Sequence, residues 1–457
     1  MRPPKPVPRP DRVSLWRYMR LFRKDILSAQ PERLYRAWMA EFRTPFFRSF
    51  LVNQPDLVAE ILKARPRDFP KSDRIGEGLR PLLGRSVFLT NGAEWERQRR
   101  IIDPAFEGGR LKDTFPAMLA AADRAVDRLG DEAGGPVEIE EVTSHVAADV
   151  IFRTLFSIPI DHRLAAQVFA EFRDYQRSQP ILNLAAFVPV PSWVPRFFSR
   201  RTRDAARSIR GLITQLTEAR QQAISEGTAP DDLATKIMTT RDPETGEGFA
   251  TEEMVDQVAI FFLAGHETSA SALAWSLYLL ALYPEWQDRV AAEARAVERW
   301  EFGAMSRLGV TRDVFREALR LYPPVPMMVR QATGCERFRD RDVPEGAQLV
   351  LSPWHLHRHT RLWDDPDGFN PGRWQTENGR RCGREAYIPF SAGARVCTGA
   401  GFAMIEGPLI LARILARYRV TPVDGRVPVP VAHLTVRSKE GIWLDLSERG
   451  SGRVPEF

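Results

Sequence analysis

The segment from Phe390 to Gly399, Phe-Ser-Ala-Gly-Ala-Arg-Val-Cys-Thr-Gly, sets one cysteine directly ahead of the helix-forming run AGFAMIEGPLILARILARY. At a helix entrance, backbone N–H groups and the positive end of the helix dipole favour thiolate over thiol, and thiolate is the form that ligates metal or attacks as a nucleophile. Gly393 and Gly399 permit a tight turn and a close backbone approach to something large and flat. Arg395, two residues before Cys397, could reach a carboxylate of that same object. By themselves these residues describe a single-cysteine metal or nucleophile site, or a buried cysteine packed as a small apolar side chain.

A second polar group, Gly265-His266-Glu267-Thr268, interrupts the apolar stretch AIFFLAGHETSASALAW. Taken alone, Glu267 and Thr268 read as helix-capping or core-satisfied polar residues. His266-Glu267 begins the zinc-protease signature His-Glu-x-x-His, but position 270 is alanine, so that motif fails. His355, His357 and His359 alternate in WHLHRH and could line one face of a strand as a metal trio, or be buried without metal. Trp95 and Arg99 are four residues apart on one helical face, so an indole N–H and a guanidinium can address the same anion.

These residues need rigid elements to hold them. Residues 251–282 predict a helix with Thr251 as N-cap, Glu252 and Glu253 in its first turn and Pro284 beyond its end. Such a helix is about 48 Å long, and its middle is apolar almost all round, so it must run through the centre of a domain. Residues 54–64, 93–106 and 205–225 also carry helical spacing. Strand character is confined to 46–53, 347–354 and a candidate hairpin over 433–446 with Gly441 near its turn. No linker or repeat divides the chain, which predicts an N-terminal extension with a first helix over 1–44 and a single domain over 45–457.

Composition excludes several classes. The 457 residues are 44% hydrophobic and 27% charged, too apolar for a disordered or collagen-like chain. A balance of 65 basic to 59 acidic residues, net +6, is far from the dense basicity of nucleic-acid binders. Three cysteines, Cys335, Cys382 and Cys397, cannot build a disulfide framework, so a reducing cytoplasm is expected. MRPPKPVPRPDR has no apolar run behind it, so neither signal peptide nor transmembrane anchor is expected. Of two uncharged stretches, Thr268 to Pro284 reads as a buried core helix. Ser178 to Pro195, broken by four prolines, reads as an apolar loop.

The Phe390–Gly399 segment resembles, position for position, the Phe-x-x-Gly-x-Arg-x-Cys-x-Gly signature of the cytochrome P450 monooxygenases. Other stretches are similar to that family's motifs and occur in its order. Trp95-Glu-Arg-Gln-Arg99 resembles Trp-x-x-x-Arg, Ala264-Gly265-His266-Glu267-Thr268 the central-helix Ala/Gly-Gly-x-Asp/Glu-Thr, and Glu317-Ala-Leu-Arg320 the Glu-x-x-Arg motif. Phe369-Asn-Pro371-Gly372-Arg373-Trp374 resembles Phe-x-Pro-x-Arg-Phe, with Gly372 and Trp374 where the family usually has Glu and Phe. The likeness covers residues from about 45 to 446.

The resemblance implies a mainly α fold with small β-sheets (α+β) and a long central helix across haem b (iron protoporphyrin IX). Cys397 is then the axial thiolate, and Trp95, Arg99, Arg395 and Arg330 partner the haem propionates. Phe390, Gly399, Ala264 and Gly265 adjoin the haem, Gly265 by omitting a side chain where ligand approaches. Glu267 and Thr268 are the implied catalytic pair, with Thr268 positioning water, and Glu317, Arg320 and Arg373 form a structural triad.

The implied reaction inserts one atom of O2 into a lipophilic small-molecule substrate. Nothing after residue 446 resembles a fused reductase, so electrons are expected from a ferredoxin or flavodoxin with its NAD(P)H reductase. Arg97, Arg100, Arg380, Arg381 and Arg384 are candidates for the docking patch. Leu79 to Phe88 and the run with Ala186, Phe187, Val188 and Trp193 fall where the family covers its substrate. A peroxygenase or isomerase, or a haem-based sensor or carrier, is the alternative; Glu267 with Thr268 disfavours the first.

Overall fold

The computed structural model describes residues 2–43, 48–107, 109–131, 134–178, 200–432 and 434–450. The architecture is mainly helical with small sheets, and helix Thr251–Leu282 is its axis. That central helix has the extent its sequence predicts. Its N-cap, however, is Ala250, whose N–H donates to the Glu253 carboxylate at 2.9 Å. Thr251 is the first helical residue and pairs its hydroxyl with Gln221 of helix Arg200–Ser225. Capping through the Glu253 side chain moved the boundary by one residue.

The central helix is buried along most of its length. Helix Ile139–Phe156 lies close against it because Gly265 leaves room: a Cβ there would stand 2.4 Å from Ile151 Cδ1. Toward its C-terminal end Trp275 stacks on Tyr322 with ring centroids 4.0 Å apart. The uncharged stretch Thr268 to Pro284 is therefore core, and among the described residues no helix is long and apolar enough to cross a membrane.

Strands β1 (Met39–Arg43), β2 (Arg48–Val52), β7 (Gln348–Leu351) and β4 (Met328–Gln331) form a four-stranded sheet in that order, with β2 and β7 parallel and the other pairs antiparallel. The β1–β2 pairing straddles residue 44. A second core of Phe50, Phe69, Leu349, Trp363 and Trp374 accompanies this sheet. Strands β5 (Glu336–Phe338) and β6 (Arg341–Val343) pair antiparallel.

The expected hairpin over 433–446 does not form. Strand β10 (Val436–Ser438) pairs back onto β9 (Pro430–Ala432), whereas β11 (Trp443–Glu448) joins β3 (Pro136–Glu138) and β8 (Tyr418–Pro422). Gly441, at φ 78°, carries the chain from one sheet into the other. Alternating side chains announce a strand but do not name its neighbour.

WHLHRH is also not a strand. Pro353–Leu356 is a helical turn capped by Ser352, so alternate histidines do not share a face. His355 Nδ1 lies 2.8 Å from Ser352 Oγ, and His357 Nε2 accepts from the Ile388 N–H at 2.9 Å. His359 stacks on Trp38 at 4.3 Å. Among the described residues no three His, Cys, Asp or Glu side chains group to hold a metal ion.

Candidate functional site

The cysteine loop closes through its own backbone. The Cys397 N–H donates to Phe390 O at 2.9 Å and the Val396 N–H to Gly393 O at 3.0 Å, after which Ala400–Arg417 begins its helix. Gly393 takes φ 68°, and a Cβ there would fall 2.0 Å from Leu62 O, so this glycine serves the turn and the seat of the loop on segment Glu60–Ala64. A Cβ on Gly399 would meet only the Cys397 sulfur, at 4.0 Å, which leaves the space over that residue open.

Cys397 is exposed on one side while protein encloses it on the others. Burial pushes its thiol up, against the pull of the Gly399 backbone and Arg99. The expected thiolate preference is therefore outweighed in the chain's own field, and a metal cation at the sulfur would restore it.

Helix Gly92–Ile102 brings Trp95 and Arg99 to this loop. The Arg99 guanidinium donates to Val396 O at 2.8 Å and to Asp103 at 2.9 Å. Arg395 lies over the Trp95 ring, 4.8 Å from its centroid, and donates to Pro66 O at 2.6 Å; its buried Nε has no partner. Arg330, on β4, is 6% exposed, and its described hydrogen bond goes to the neighbouring Val329 carbonyl at 3.2 Å.

Lys71 completes the group, bridged to Arg330 by backbone and donating to Val87 O at 2.7 Å. No local pattern in its sequence marked it. Burial, then Arg395, Arg330 and Arg99, push the Lys71 ammonium down to about 6. Burial and Arg395 likewise push Arg330 down to about 10. Four cations thus converge where, among the described residues, a carboxylate hydrogen-bonds Arg99 alone, and Lys71 carries most of the repulsion.

Across from the loop's helix, Ala264 and Thr268 share a face of the central helix, and Ala264 is exposed although its neighbours Leu263 and His266 are buried. The Thr268 hydroxyl donates to Ala264 O at 2.5 Å. Gly265 faces Ile151, so its missing side chain serves helix packing rather than the approach of a ligand.

Glu267 turns to another side, where its Oε1 accepts from the Thr435 hydroxyl at 2.7 Å and pairs with Arg437 at 2.9 Å. His266 packs away from this face, 2.7 Å from Ser144 Oγ, with burial pushing its imidazole down to about 3. One turn on, Ser269 donates at 2.6 Å to Glu406 of the cysteine helix, a carboxyl that burial pushes up to about 8. Thr435, Arg437, Ser269 and Glu406 escaped sequence reasoning, which had no means of pairing positions 137 or more residues apart.

The expected triad is present. Glu317 receives both Arg320, at 2.8 and 2.9 Å, and Arg373, at 3.1 Å. Spare guanidinium donors go to the carbonyls of His357, Pro366 and Gly368, and Asn370 N–H adds a bond to Glu317 at 3.0 Å. Trp374 fills its altered position by packing edge-on to Trp363 at 5.9 Å and beneath Arg316 at 4.1 Å.

Of the expected docking cations, Arg97 is bound to Glu253 and Gly248, and Arg100 to Asp242. Both are consumed within the fold. Arg380, Arg381 and Arg384 are exposed and make no ion pair among the described residues. The run containing Ala186, Phe187, Val188 and Trp193 lies outside the described residues.

An open sulfur, a cluster of mutually repelling cations beside it, and an accessible strip at Ala264 and Thr268 fit a flat, dianionic, metal-bearing group such as haem. An open cleft of about 730 Å³ between the N-terminal segment and Thr360 includes none of these residues in its walls.

Residues 32–444 match the family model described as Cytochrome P450. The chain is 32% identical over 396 residues to a cyclooctat-9-en-7-ol 5-monooxygenase of Streptomyces melanosporofaciens, covering 85% of this chain and 83% of that protein. It is 28% identical over 403 residues to a cytokinin hydroxylase of Arabidopsis thaliana, with 86% and 78% covered. Among solved structures, the cytochrome P450DA heme domain superposes with a TM-score of 0.81 at 25% identity, over 98% of this chain and 99% of that one.

Proposed function

The chain belongs to the cytochrome P450 family and is an oxidoreductase of the monooxygenase kind, and from that premise we propose that Cys397 would ligate the iron of haem b in an enzyme that hydroxylates or epoxidises a small lipophilic compound. The observation that carries this reading is the four-cation cluster beside the open sulfur. Two propionates would relieve the repulsion among Lys71, Arg99, Arg330 and Arg395, which no carboxylate among the described residues does in full. Phe390 and Gly399 shape the loop that would hold the haem, and Arg395 stacks on Trp95 beside that loop.

When bound, haem supplies the activation of dioxygen, with one oxygen atom entering the substrate and the other leaving as water. The chain's task is to deliver protons and keep bulk water out. Thr268 can release its bond to Ala264 O and hold a water on the accessible face of the central helix. To serve that water the Glu267 carboxylate must leave Thr435 and Arg437 and swing toward Thr268, carrying protons from a side that reaches solvent because Arg437 is 37% exposed. Ala264 leaves the same face low enough for substrate.

Electrons come from a separate ferredoxin or flavodoxin with its NAD(P)H reductase, docked at Arg380, Arg381 and Arg384 on the cysteine side. Reduction that slows as salt rises is the expected signature. The deciding experiment is the absorption of the ferrous protein with carbon monoxide. A long-wavelength band peculiar to sulfur-bound haem is expected in the full chain and absent in Cys397→Ala; the same band in both sinks the ligand assignment.

For the relay, Thr268→Ala is expected to lower product formed per electron consumed several-fold while leaving haem content unchanged. Unaltered coupling overturns the roles of Thr268 and Glu267 without touching Cys397. A ligand screen by Soret shift identifies the substrate.

A further inference from the structure

Charge is distributed along this chain unevenly. Residues 1–48 hold twelve Lys and Arg against four Asp and Glu, whereas the other 409 residues hold 53 against 55. The net positive charge of the protein thus lies in its first tenth. Much of that excess is on helix Leu15–Lys24 and the residues leading into it.

Arg12, Arg17, Arg20, Arg23 and Lys24 are exposed, and none of them makes an ion pair among the described residues. The inner side of the helix is used by the fold: Tyr18 meets Phe22 at 5.7 Å and Phe42 at 6.4 Å, and Phe22 packs on the main core. Its outer side is cationic, with Trp16 standing 75% exposed among the arginines.

Exposed apolar side chains occur in this segment and in a stretch bonded to the residues that end its helix. Among the described residues the exposed large hydrophobics are Val7, Trp16, Phe88, Val396, Val427, Val429 and Leu434. Val7 and Trp16 belong to the N-terminal segment, and Val427, Val429 and Leu434 flank β9. The two stretches are tied together, since Ile26 N–H donates to Ala432 O at 3.1 Å and Ala432 N–H to the Asp25 carboxylate at 2.7 Å.

We propose that helix Leu15–Lys24 and the Val427–Leu434 stretch beside it form a docking surface for an anionic lipid bilayer, with the arginines and Lys24 at the headgroups and Trp16 and the valines at the acyl boundary. Cations interleaved with Trp and aliphatic side chains match the layering of such an interface.

An acidic electron donor matches it less well. The contacts of the Cys397 loop run to Leu62, Pro66 and Arg99, none of them in this surface. The β9–β10 unit that the helix leans on instead carries Arg437, the partner of Glu267 on the central helix. Bilayer contact therefore falls on the side of Glu267, and it stands whether or not the relay assigned to that residue is right.

The test is co-sedimentation of the full chain with vesicles of phosphatidylcholine alone and with 30% phosphatidylglycerol, at low and high salt. Partition into the anionic vesicles at least tenfold above the neutral ones, lost in high salt, is expected. A charge-neutralised variant, R17Q/R20Q/R23Q/K24Q, is expected to lose about fivefold per cation removed.

Trp16→Ala is expected to weaken binding about tenfold with its salt dependence kept. All five side chains are exposed, and an unchanged unfolding midpoint verifies the fold of each variant. Equal binding to both vesicle types, or equal binding by wild type and the neutralised variant, overturns the proposal. Absence of vesicle binding together with slower reduction of the neutralised variant by a ferredoxin also overturns it, and assigns the surface to an acidic protein.

Discussion

Two groups of buried cations in this protein are treated in opposite ways. Arg373, 4% exposed, and Arg320, fully buried, close on Glu317, and their remaining donors reach backbone carbonyls. Arg330, 6% exposed, is buried to the same degree but faces Lys71 and Arg395, and all three are pushed toward losing their charge. Burial does not distinguish the two groups; partners do. A charge cluster that neutralises itself holds a loop in register, whereas one that repels itself is arranged for an anion from outside the chain.

That contrast breaks most easily at the closed cluster. Burial raises the Glu317 carboxyl, but Arg320 and Arg373 outweigh it and hold the group below the ordinary range. Glu317→Gln strands two buried guanidiniums and is expected to cost about 3–5 kcal/mol in urea unfolding. A loss under about 1 kcal/mol would mean that the triad is not structural.

At the open cluster the sign differs. Cys397→Ala is expected to abolish haem retention, read as haem per chain after gel filtration. It should leave unfolding of the haem-free chain within about 1 kcal/mol, because the site is open on one side and the substitution removes a single sulfur.

The histidines around the closed cluster sharpen the comparison through pH. Burial holds His355 and His357 down to about 3, so both are neutral in the fold, whereas the unfolded chain protonates them near 6.5. Their stabilising contribution is complete above 6.5 and is lost as pH falls toward 3. The unfolding free energy should drop by up to about 2 kcal/mol per histidine between pH 7 and 5. His357→Gln should flatten that slope; an unchanged slope refutes the assignment.

The smallest effect belongs to Lys71. Held down to about 6, it is largely neutral at pH 8, and a propionate beside it restores its charge. Haem binding at pH 8 should therefore take up close to one more proton in wild type than in Lys71→Met, measured by calorimetry in buffers of different ionisation enthalpy. Equal uptake places Lys71 outside the anion site.

Much of this molecule is local and was legible as such. The central helix follows from an apolar run bounded by Glu252, Glu253 and Pro284, and the cysteine loop and the i,i+3 pair Glu317–Arg320 lie within ten residues each. Periodicity, caps and short spacings are properties of neighbouring residues, so the sequence determined the helices, the cysteine at a helix entrance and the acid–alcohol pair beside each other.

Tertiary structure alone decided who meets whom. It set Lys71 against Arg330 across 259 residues, Glu267 against Arg437 across 170, and Glu406 under Ser269 across 137. It also buried three histidines whose spacing resembled a metal site, and sent β10 and β11 to different sheets. The physical reason is that a charged or polar side chain takes its state from desolvation and from partners within a few ångströms. Only the folded path of the chain fixes those.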